Sequence, residues 1–210
     1  MIPENDDAIL AWVRAAQGEG PEPLPELAKL TREAEVTPLS PEELRLIALL
    51  ARAHDAKRVL EIGTALGNAT AWLLGSLPDD ATVDTIEIDE PRAEAARKNL
   101  ETLGFAGRAN VIADDARHAV PGLAGTYDFV LLDADPMIYP GIFQFLAPKM
   151  RPGALLVVAH VFAKGAAPKG ANAAGLGARA FLDQLTRSRK FASAVLMAGD
   201  GLALARREDA

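Results

Sequence analysis

Residues 58–67 read Arg-Val-Leu-Glu-Ile-Gly-Thr-Ala-Leu-Gly, and residues 85–89 read Thr-Ile-Glu-Ile-Asp. The first stretch is an apolar run that ends in a glycine turn, and the second is an apolar run that ends in acids. Within a strand–helix–strand unit, such a turn brings bare backbone close to a ligand, and an acid at the tip of the next strand can accept hydrogen bonds from both hydroxyls of a ribose. The two stretches together predict a nucleoside pocket.

The glycine spacing indicates whether the nucleoside carries a pyrophosphate. Gly63 and Gly67 form a Gly-x-x-x-Gly turn, which lacks the extra glycine of the Gly-x-Gly-x-x-Gly turn at a pyrophosphate. Glu61, just before the turn, would repel a pyrophosphate but suits an amino group or helps to orient the turn. Glu87 follows the first glycine, Gly63, by 24 residues, which is close to the spacing of about 20 residues that is typical of a ribose-binding acid. The alternative is a plain strand–turn–helix corner with a solvated acid.

From Lys57 onward, the chain alternates between apolar runs and helix-like stretches. Strands are predicted at 58–62, 82–88, 109–113, 127–133 and 153–159, and helices at 67–77, 91–103, 115–120, 139–149 and 173–187. Two further strands, 191–197 and 202–205, flank a short glycine turn and form a hairpin. The order predicts an α/β fold with a doubly wound, mostly parallel seven-stranded sheet and a C-terminal antiparallel hairpin, in which ligands lie beyond the carboxyl ends of the strands.

The N-terminal part has a different pattern. Residues 5–17 suit a helix, Gly18 to Pro25 indicate a break, and Ser40-Pro-Glu-Glu begins a helix that runs to about Ala53. We therefore expect residues 1–56 to form a helical accessory segment and residues 57–210 to form a single ligand-binding domain.

Composition favours a small-molecule enzyme. The 210-residue chain is half apolar, carries a formal net charge of -7, has no basic tract and has no cysteine. Disulfides and thiolate metal sites are excluded, and a nucleic-acid substrate, which favours a cationic face, is disfavoured. With no signal peptide and no membrane-spanning run in the sequence, we expect a cytoplasmic protein.

Four motifs in order carry a resemblance to a known family. They are residues 59–64 (Val-Leu-Glu-Ile-Gly-Thr), 85–89, 127–135 (Tyr-Asp-Phe-Val-Leu-Leu-Asp-Ala-Asp) and 199–204 (Gly-Asp-Gly-Leu-Ala-Leu). With the terminal hairpin, they resemble the class I S-adenosylmethionine-dependent O-methyltransferases of the catechol and caffeoyl-CoA type. The resemblance implies a Rossmann-like methyltransferase fold and S-adenosylmethionine as cofactor.

The resemblance also implies a cofactor site. Glycines of the turn line the methionine part, the acid of the next strand holds the ribose, the residue after it packs on adenine, and an Asp-Ala pair reaches the adenine edge. The cofactor-binding candidates are Glu61, Gly63, Thr64, Gly67, Asn68, Glu87, Ile88, Asp115, Ala116 and Asp133. Two positions depart from the family pattern, because Asp114 replaces a glycine and Ala69 replaces a serine.

The catalytic positions depart further. In the family, a divalent cation binds both oxygens of a vicinal diol, held by an acid after the fourth strand and an Asp-Asn pair after the fifth, with a lysine as base. Here Asp133 is kept, Pro136 stands at the lysine position, and Ala159-His160 replaces the pair. We therefore expect no family magnesium site and take Asp133 and His160 as catalytic candidates. His160 is either a general base or substrate contact, or a strand-end histidine bonded to a loop.

The acceptor is expected between the segment around Thr37 to Glu43 and the 162–175 loop, where Phe162 could stack on a phenol and Lys164 could supply positive charge. The function that this implies is O-methylation of a small-molecule hydroxyl. A cofactor-binding protein with lost or altered catalysis, a tRNA-modifying methyltransferase and a nicotinamide dehydrogenase remain alternatives. Since relatives with an extra N-terminal helix are often dimers, residues 5–17 could support a homodimer.

Overall fold

The computed structural model describes residues 6–18, 24–33 and 36–208. Within these ranges the chain forms one seven-stranded sheet in the order β3-β2-β1-β4-β5-β7-β6. The strands are β1 (Arg58–Ile62), β2 (Thr82–Glu87), β3 (Ala109–Ala113), β4 (Tyr127–Leu132), β5 (Met150–Val158), β6 (Phe191–Leu196) and β7 (Leu202–Arg207). Neighbours from β3 to β5 pair in parallel, and β7 is antiparallel to both β5 and β6. The predicted fold class is confirmed.

Helices cover the sheet and connect its strands. They are α1 (Asp6–Gln17), α2 (Leu24–Glu33), α3 (Pro41–Ala53), α4 (Asn68–Ser76), α5 (Glu90–Thr102), α6 (Ala116–Gly122), α7 (Tyr139–Lys149) and α8 (Ala173–Arg187), with a 3₁₀ turn at Pro136–Ile138. Helix α2 was missed, because its short amphipathic repeat follows a Pro- and Gly-rich stretch that indicates a break. None of the helices in the described ranges is long and apolar enough to cross a bilayer.

Strand β5 begins earlier than predicted. The strand was predicted to start at residue 153, but Met150 already pairs with Tyr127. The register then shifts before Leu155 pairs with Phe129, so Pro152 and Gly153 are accommodated in an irregularity of the ladder.

Alternate residues of the central strands enter two apolar clusters, one on each face of the sheet. On one face Val59 and Leu131 join residues of α3, α4 and α5, and on the other Leu60 and Leu132 join residues of α6, α7 and α8. Leu27 of α2 also belongs to the first cluster. The N-terminal helices α2 and α3 therefore share the core of the sheet, and their accessory role stays a prediction.

The start of α3 is fixed by the capping pattern that the sequence predicts. Ser40 Oγ accepts a hydrogen bond from Glu43 N at 3.3 Å, and Glu43 Oε2 accepts one from Ser40 N at 2.8 Å. Such a reciprocal box satisfies two helix-terminal donors. It also fixes the carboxylate of Glu43, which is 4% exposed, inside the molecule.

Candidate active site

A cavity of about 810 Å³ opens at the carboxyl ends of β1, β2, β4 and β5, where the fold predicts a ligand. The predicted site residues that line it are Gly63, Thr64, Asn68, Glu87, Ile88, Asp115, Ala116, Asp133 and His160. Glu61 and Gly67 are not among the lining residues. The fold thus brings most of the predicted residues to one cavity, and their roles toward a ligand stay predictions.

Gly63 lets the ends of β1 and β4 meet. Its φ is +101°, and a Cβ at this position would lie 1.8 Å from the carbonyl oxygen of Asp133. Asp133 N in turn donates to Ile62 O at 2.8 Å. Because no side chain fits between the two segments, Asp133 is held directly beside the glycine turn. Gly67, by contrast, adopts φ +89° at the start of α4 and faces Leu100 of α5.

Glu87, an acid of the cavity wall, accepts four hydrogen bonds. Its Oε2 accepts from Ala65 N at 2.8 Å, and its Oε1 accepts from Asp89 N at 3.0 Å. Arg92 of α5 adds two bonds to Oε1, from Nε at 3.0 Å and from Nη2 at 2.7 Å. The carboxylate therefore lies at the tip of β2 in a fixed orientation. Arg92 was not predicted as a site residue, although its position in the first turn of the helix after β2 is a usable signal.

Glu61 is hydrogen-bonded to residues that pack beneath the cavity wall rather than to the cavity itself. It is fully buried and accepts hydrogen bonds from Thr70 and from Thr85 Oγ1, the latter at 2.7 Å. Thr85 Oγ1 also lies 2.6 Å from Thr64 Oγ1, which lines the cavity. Burial raises the pKa of Glu61 to about 8, with a smaller contribution from the charge of Asp133. Glu61 is therefore protonated at neutral pH. It does not line the cavity itself, and it is connected to the cavity wall through the hydroxyls of Thr85 and Thr64.

Asn68, the first residue of α4, offers an acceptor to a ligand. Its side chain is 5% exposed, lines the cavity, and has an Oδ1 that lacks a hydrogen-bond partner. Buried polar atoms are nearly always paired, so an unpaired oxygen in a cavity wall indicates a missing donor. The amino group of S-adenosylmethionine is such a donor. With Glu87 for the ribose, these residues fit that cofactor.

The far end of the cavity combines an acid and an apolar side chain. Asp115 begins α6 and accepts from Arg117 N at 2.8 Å, while the Arg117 guanidinium beside it holds its pKa down at about 2. Ile88 lines the same cavity and is 66% exposed. Asp114, which stands where the family has glycine, also lines the cavity, and its N donates to Glu87 O at 3.0 Å. The apolar side chain of Ile88 can pack on the face of a purine base, and the carboxylate of Asp115 can accept a hydrogen bond from its edge.

His160 follows β5 in a left-handed backbone conformation, with φ +54°. Its Nε2 is buried and lies 3.2 Å from Asp133 Oδ1, and its Nδ1 lies 3.6 Å from Asp200 Oδ2. Neither contact meets the geometry of a full hydrogen bond. Burial lowers the pKa of His160, but Asp133 and the charges of Glu43 and Asp200 outweigh it, so the pKa is raised. The imidazole is thus close to carboxylates, and two of them, Glu43 and Asp200, were not predicted from the sequence to act on it.

The donors at the family's metal position do not fit magnesium. Magnesium prefers a near-octahedral set of oxygens, whereas these positions supply one carboxylate (Asp133), a methyl group (Ala159) and an imidazole (His160). The imidazole also occupies the space beside the Asp133 carboxylate. Among the residues that the structure describes, no three His, Asp or Glu side chains form a metal-binding group.

The expected acceptor segments contribute to the same cavity, with one correction. Thr37 and Lys164 line it, and Lys164 Nζ donates to Thr37 Oγ1 at 3.3 Å. Phe162, which was expected to stack on the acceptor, is not among the lining residues. Its ring instead lies against Gly201, where an added Cβ would meet it at 2.7 Å.

Known proteins resemble this chain over most of its length. The O-methyltransferase family model matches residues 15–208. A catechol O-methyltransferase of Mycobacterium tuberculosis is 36% identical over 162 residues, which cover 77% of this chain and 68% of the relative. A catechol O-methyltransferase of Niastella koreensis is 30% identical over 169 residues, which cover 79% and 71%.

The fold of this chain also resembles solved structures of O-methyltransferases. The O-methyltransferase TomG from Streptomyces achromogenes, determined in complex with S-adenosylmethionine, superposes with a TM-score of 0.89 at 28% identity and covers 99% of this chain and 100% of its own. The dehydrogenase alternative is therefore wrong. The chain belongs to the O-methyltransferase family and is an S-adenosylmethionine-dependent methyltransferase.

Proposed function

We propose that this enzyme methylates a hydroxyl group of a small molecule without a magnesium ion and that His160 receives the proton of that hydroxyl. The observation that carries the proposal is the position of His160 in the cavity wall, with its Nε2 3.2 Å from the carboxylate of Asp133. A histidine oriented by a carboxylate is a stronger base than a free one, because the carboxylate stabilises the imidazolium that forms.

The chain's own residues would hold the cofactor, which supplies an electrophilic methyl group on a sulfonium when bound. Glu87 would accept the ribose hydroxyls, Asn68 Oδ1 would accept the amino group, and Ile88 would cover the adenine. Asp133 lies beside the Gly63 turn and also contacts His160. The methyl group and the base would therefore face the same part of the cavity, as an in-line displacement requires.

The geometry also selects the nitrogen that acts. Nε2 of His160 is buried against Asp133, which leaves Nδ1 as the nitrogen that an acceptor can reach. The acceptor hydroxyl would give its proton to Nδ1 while its oxygen attacks the methyl carbon, and the electron pair of the broken carbon–sulfur bond would stay on sulfur. The imidazolium would then lose the proton to water.

The relatives named catechol O-methyltransferases support a phenolic acceptor. A metal-bound catechol needs two adjacent oxygens, but a hydroxyl that is deprotonated by an imidazole needs only one. We therefore infer that the acceptor class includes simple phenols. The acidic net charge of -7 supports a small molecule over tRNA.

The test is methyl transfer from S-adenosylmethionine to catechol and to phenol, each with added magnesium and with excess EDTA. We expect both acceptors to react and EDTA to change the rate by less than about twofold. We expect His160→Gln to lower kcat by about 100-fold or more with unchanged affinity for S-adenosylhomocysteine. His118→Gln, at a side chain that is 76% exposed, is the matched control.

Three outcomes would contradict the proposal. Loss of activity in the presence of EDTA would show that the reaction needs a bound metal ion. Methylation of tRNA, with no methylation of catechol or phenol, would show that the substrate is RNA. Tight cofactor binding with no transfer to any of these acceptors would indicate lost catalysis.

We also propose a homodimer in which α1 contacts a second copy. Ile9 and Trp12 of α1 are 50% and 71% exposed, and large apolar side chains exposed together are typical of interfaces. Light scattering on the wild type and on Trp12→Glu would test this, with a dimer expected for the former and a monomer for the latter. A wild-type monomer at micromolar concentration would contradict it.

A further inference from the structure

The turn between β6 and β7 reaches the cavity, although its sequence distance from the other site residues is large. Asp200 in this turn is a lining residue. Its neighbours are glycines with φ +53° at Gly199 and +86° at Gly201. A Cβ at Gly199 would lie 2.0 Å from Glu43 Oε1, so the turn is closely packed against the start of α3. The placement of Asp200 is therefore rigid.

The carboxylate of Asp200 is fixed by the segment that carries His160. Its two oxygens accept from Lys164 N at 2.8 and 2.9 Å. Main-chain bonds join the same two segments, from Phe162 N to Asp200 O at 2.9 Å and from Val161 N to Gly201 O at 3.2 Å. The turn and the segment after β5 thus form one unit.

This unit holds a strained backbone. His160, Ala163 and Lys164 have φ values of +54°, +48° and +54°. Each such residue costs on the order of 1 kcal/mol, and such strain persists where surrounding contacts enforce it. The hydrogen bonds from Lys164 N to Asp200 supply part of that enforcement and so help to set the direction of the imidazole.

Oδ2 of Asp200 lies 3.6 Å from Nδ1 of His160, on the side of the ring opposite to the contact with Asp133. We propose that Asp200 is a positioning residue that aims Nδ1 of His160 at the acceptor hydroxyl and stabilises the proton once Nδ1 has received it. The inference rests on the proposed function of His160 as the base. Unprotonated Nδ1 and the carboxylate are both acceptors and cannot bond, but an N–H at Nδ1 can donate to Oδ2 after a small closure of the gap.

The charges around the ring agree with this role. The acids that act on the imidazole are Asp133 after β4, Asp200 in the β6–β7 turn and Glu43 of α3. Glu43 is bound to its own helix start and is not a cavity-lining residue. Asp200 is therefore the acid that faces the nitrogen left for the acceptor, while Asp133 faces the other.

Asp200→Asn is the informative variant, because its remaining oxygen can still accept from Lys164 N while the negative charge is removed. We expect kcat for catechol to fall by about tenfold or more, with the Kd of S-adenosylhomocysteine unchanged. The rising limb of the pH–rate profile should move to lower pH, because an imidazole that loses an adjacent negative charge holds its proton less tightly. Asp183→Asn, at an exposed position of α8, should leave both unchanged.

Two further measurements separate positioning from structural support. If Asp200 acts through His160, the double variant His160→Gln/Asp200→Asn should be no slower than His160→Gln alone. The chain has three histidines, so nitrogen NMR of the imidazoles can follow the tautomer and protonation of His160 without any acceptor. We expect Asp200→Asn to lower the pKa of His160 in these spectra.

The outcomes distinguish this inference from the proposed function. A fully active His160→Gln overturns the proposed function itself. An inactive His160→Gln together with a wild-type kcat, pH profile and imidazole spectrum for Asp200→Asn overturns only the role of Asp200. Additive losses in the double variant would likewise assign Asp200 a purely structural role.

Discussion

Arg92 donates from both Nε and Nη2 to a single oxygen, Oε1 of Glu87. The same oxygen accepts from Asp89 N, and the other carboxylate oxygen accepts from Ala65 N. A carboxylate oxygen has about two lone-pair positions, so Oε1 with three donors is fully occupied, whereas Oε2 with one donor can still accept from one ribose hydroxyl. Hydroxyls of a ribose can bond to Oε1 only by displacing the guanidinium, which makes Arg92 a competitor of the cofactor.

Arg92→Ala should therefore tighten the binding of S-adenosylhomocysteine. Ala65 N and Asp89 N still orient Glu87 in this variant, and an ion pair with a cation that is 37% exposed contributes little by itself. We expect the Kd to fall by about three- to tenfold, as measured by calorimetry, with a weaker dependence on salt than in the wild type. A weaker Kd in the variant would show that Arg92 supports the site.

Glu87→Ala should abolish measurable binding of S-adenosylhomocysteine. Hydrogen bonds to a charged acceptor contribute about 1.5–3 kcal/mol each, so losing two of them should raise the Kd by about 100-fold or more. Glu94→Gln, at an exposed position of α5, is the control. Circular dichroism would verify that both variants are folded. Unchanged heat of binding in the alanine variant would refute the assignment of the ribose site.

Glu61 should make stability depend on pH. Burial raises its pKa to about 8, whereas the ordinary value is 4.5. The folded state therefore binds the proton more tightly, and the resulting stabilisation is fully present below pH 4.5 and is lost as the pH rises through about 8. Between pH 5 and pH 8, urea denaturation should show this contribution fall by on the order of a few kcal/mol. Glu61→Gln should flatten the profile, and parallel profiles would contradict the shifted pKa.

Gly63→Ala should destabilise the fold through a steric overlap. The new Cβ would lie 1.8 Å from the carbonyl oxygen of Asp133, at φ +101°. We expect a loss of about 3 kcal/mol or more in the free energy of unfolding. Gly104→Ala is the matched control, because Gly104 has φ +82° with no atom within 4 Å of its added Cβ, so it reports the backbone cost alone. Equal losses in the free energy of unfolding of the two variants would show that the structure relieves the overlap at little cost in free energy.

Sequence patterns were sufficient where short-range chemistry controls the structure. Apolar runs without alternation predicted the buried strands, and Ser40 with Glu43 three residues later predicted the start of α3. The glycine turn and the acid at the tip of β2 placed Gly63 and Glu87 beside one cavity, since parallel strands end at the same edge of a sheet.

Contacts between distant segments could not be predicted in this way. Asp200 in the β6–β7 turn lies beside His160, which follows β5, although the two residues are far apart in the sequence. Glu61 has the residue type of a cavity ligand, yet the fold encloses it among threonines.

The sequence by itself therefore determined the order of strands and helices from β1 onward, the glycine turn and the edge of the sheet at which the site forms, because these depend on periodicity and on the conformations that single residues allow. Only the tertiary structure decided that His160 lies between Asp133 and Asp200 and that Glu61 is buried. The physical reason is that burial, and the distance between charges on separate segments, follow from how the elements pack, which local sequence does not encode.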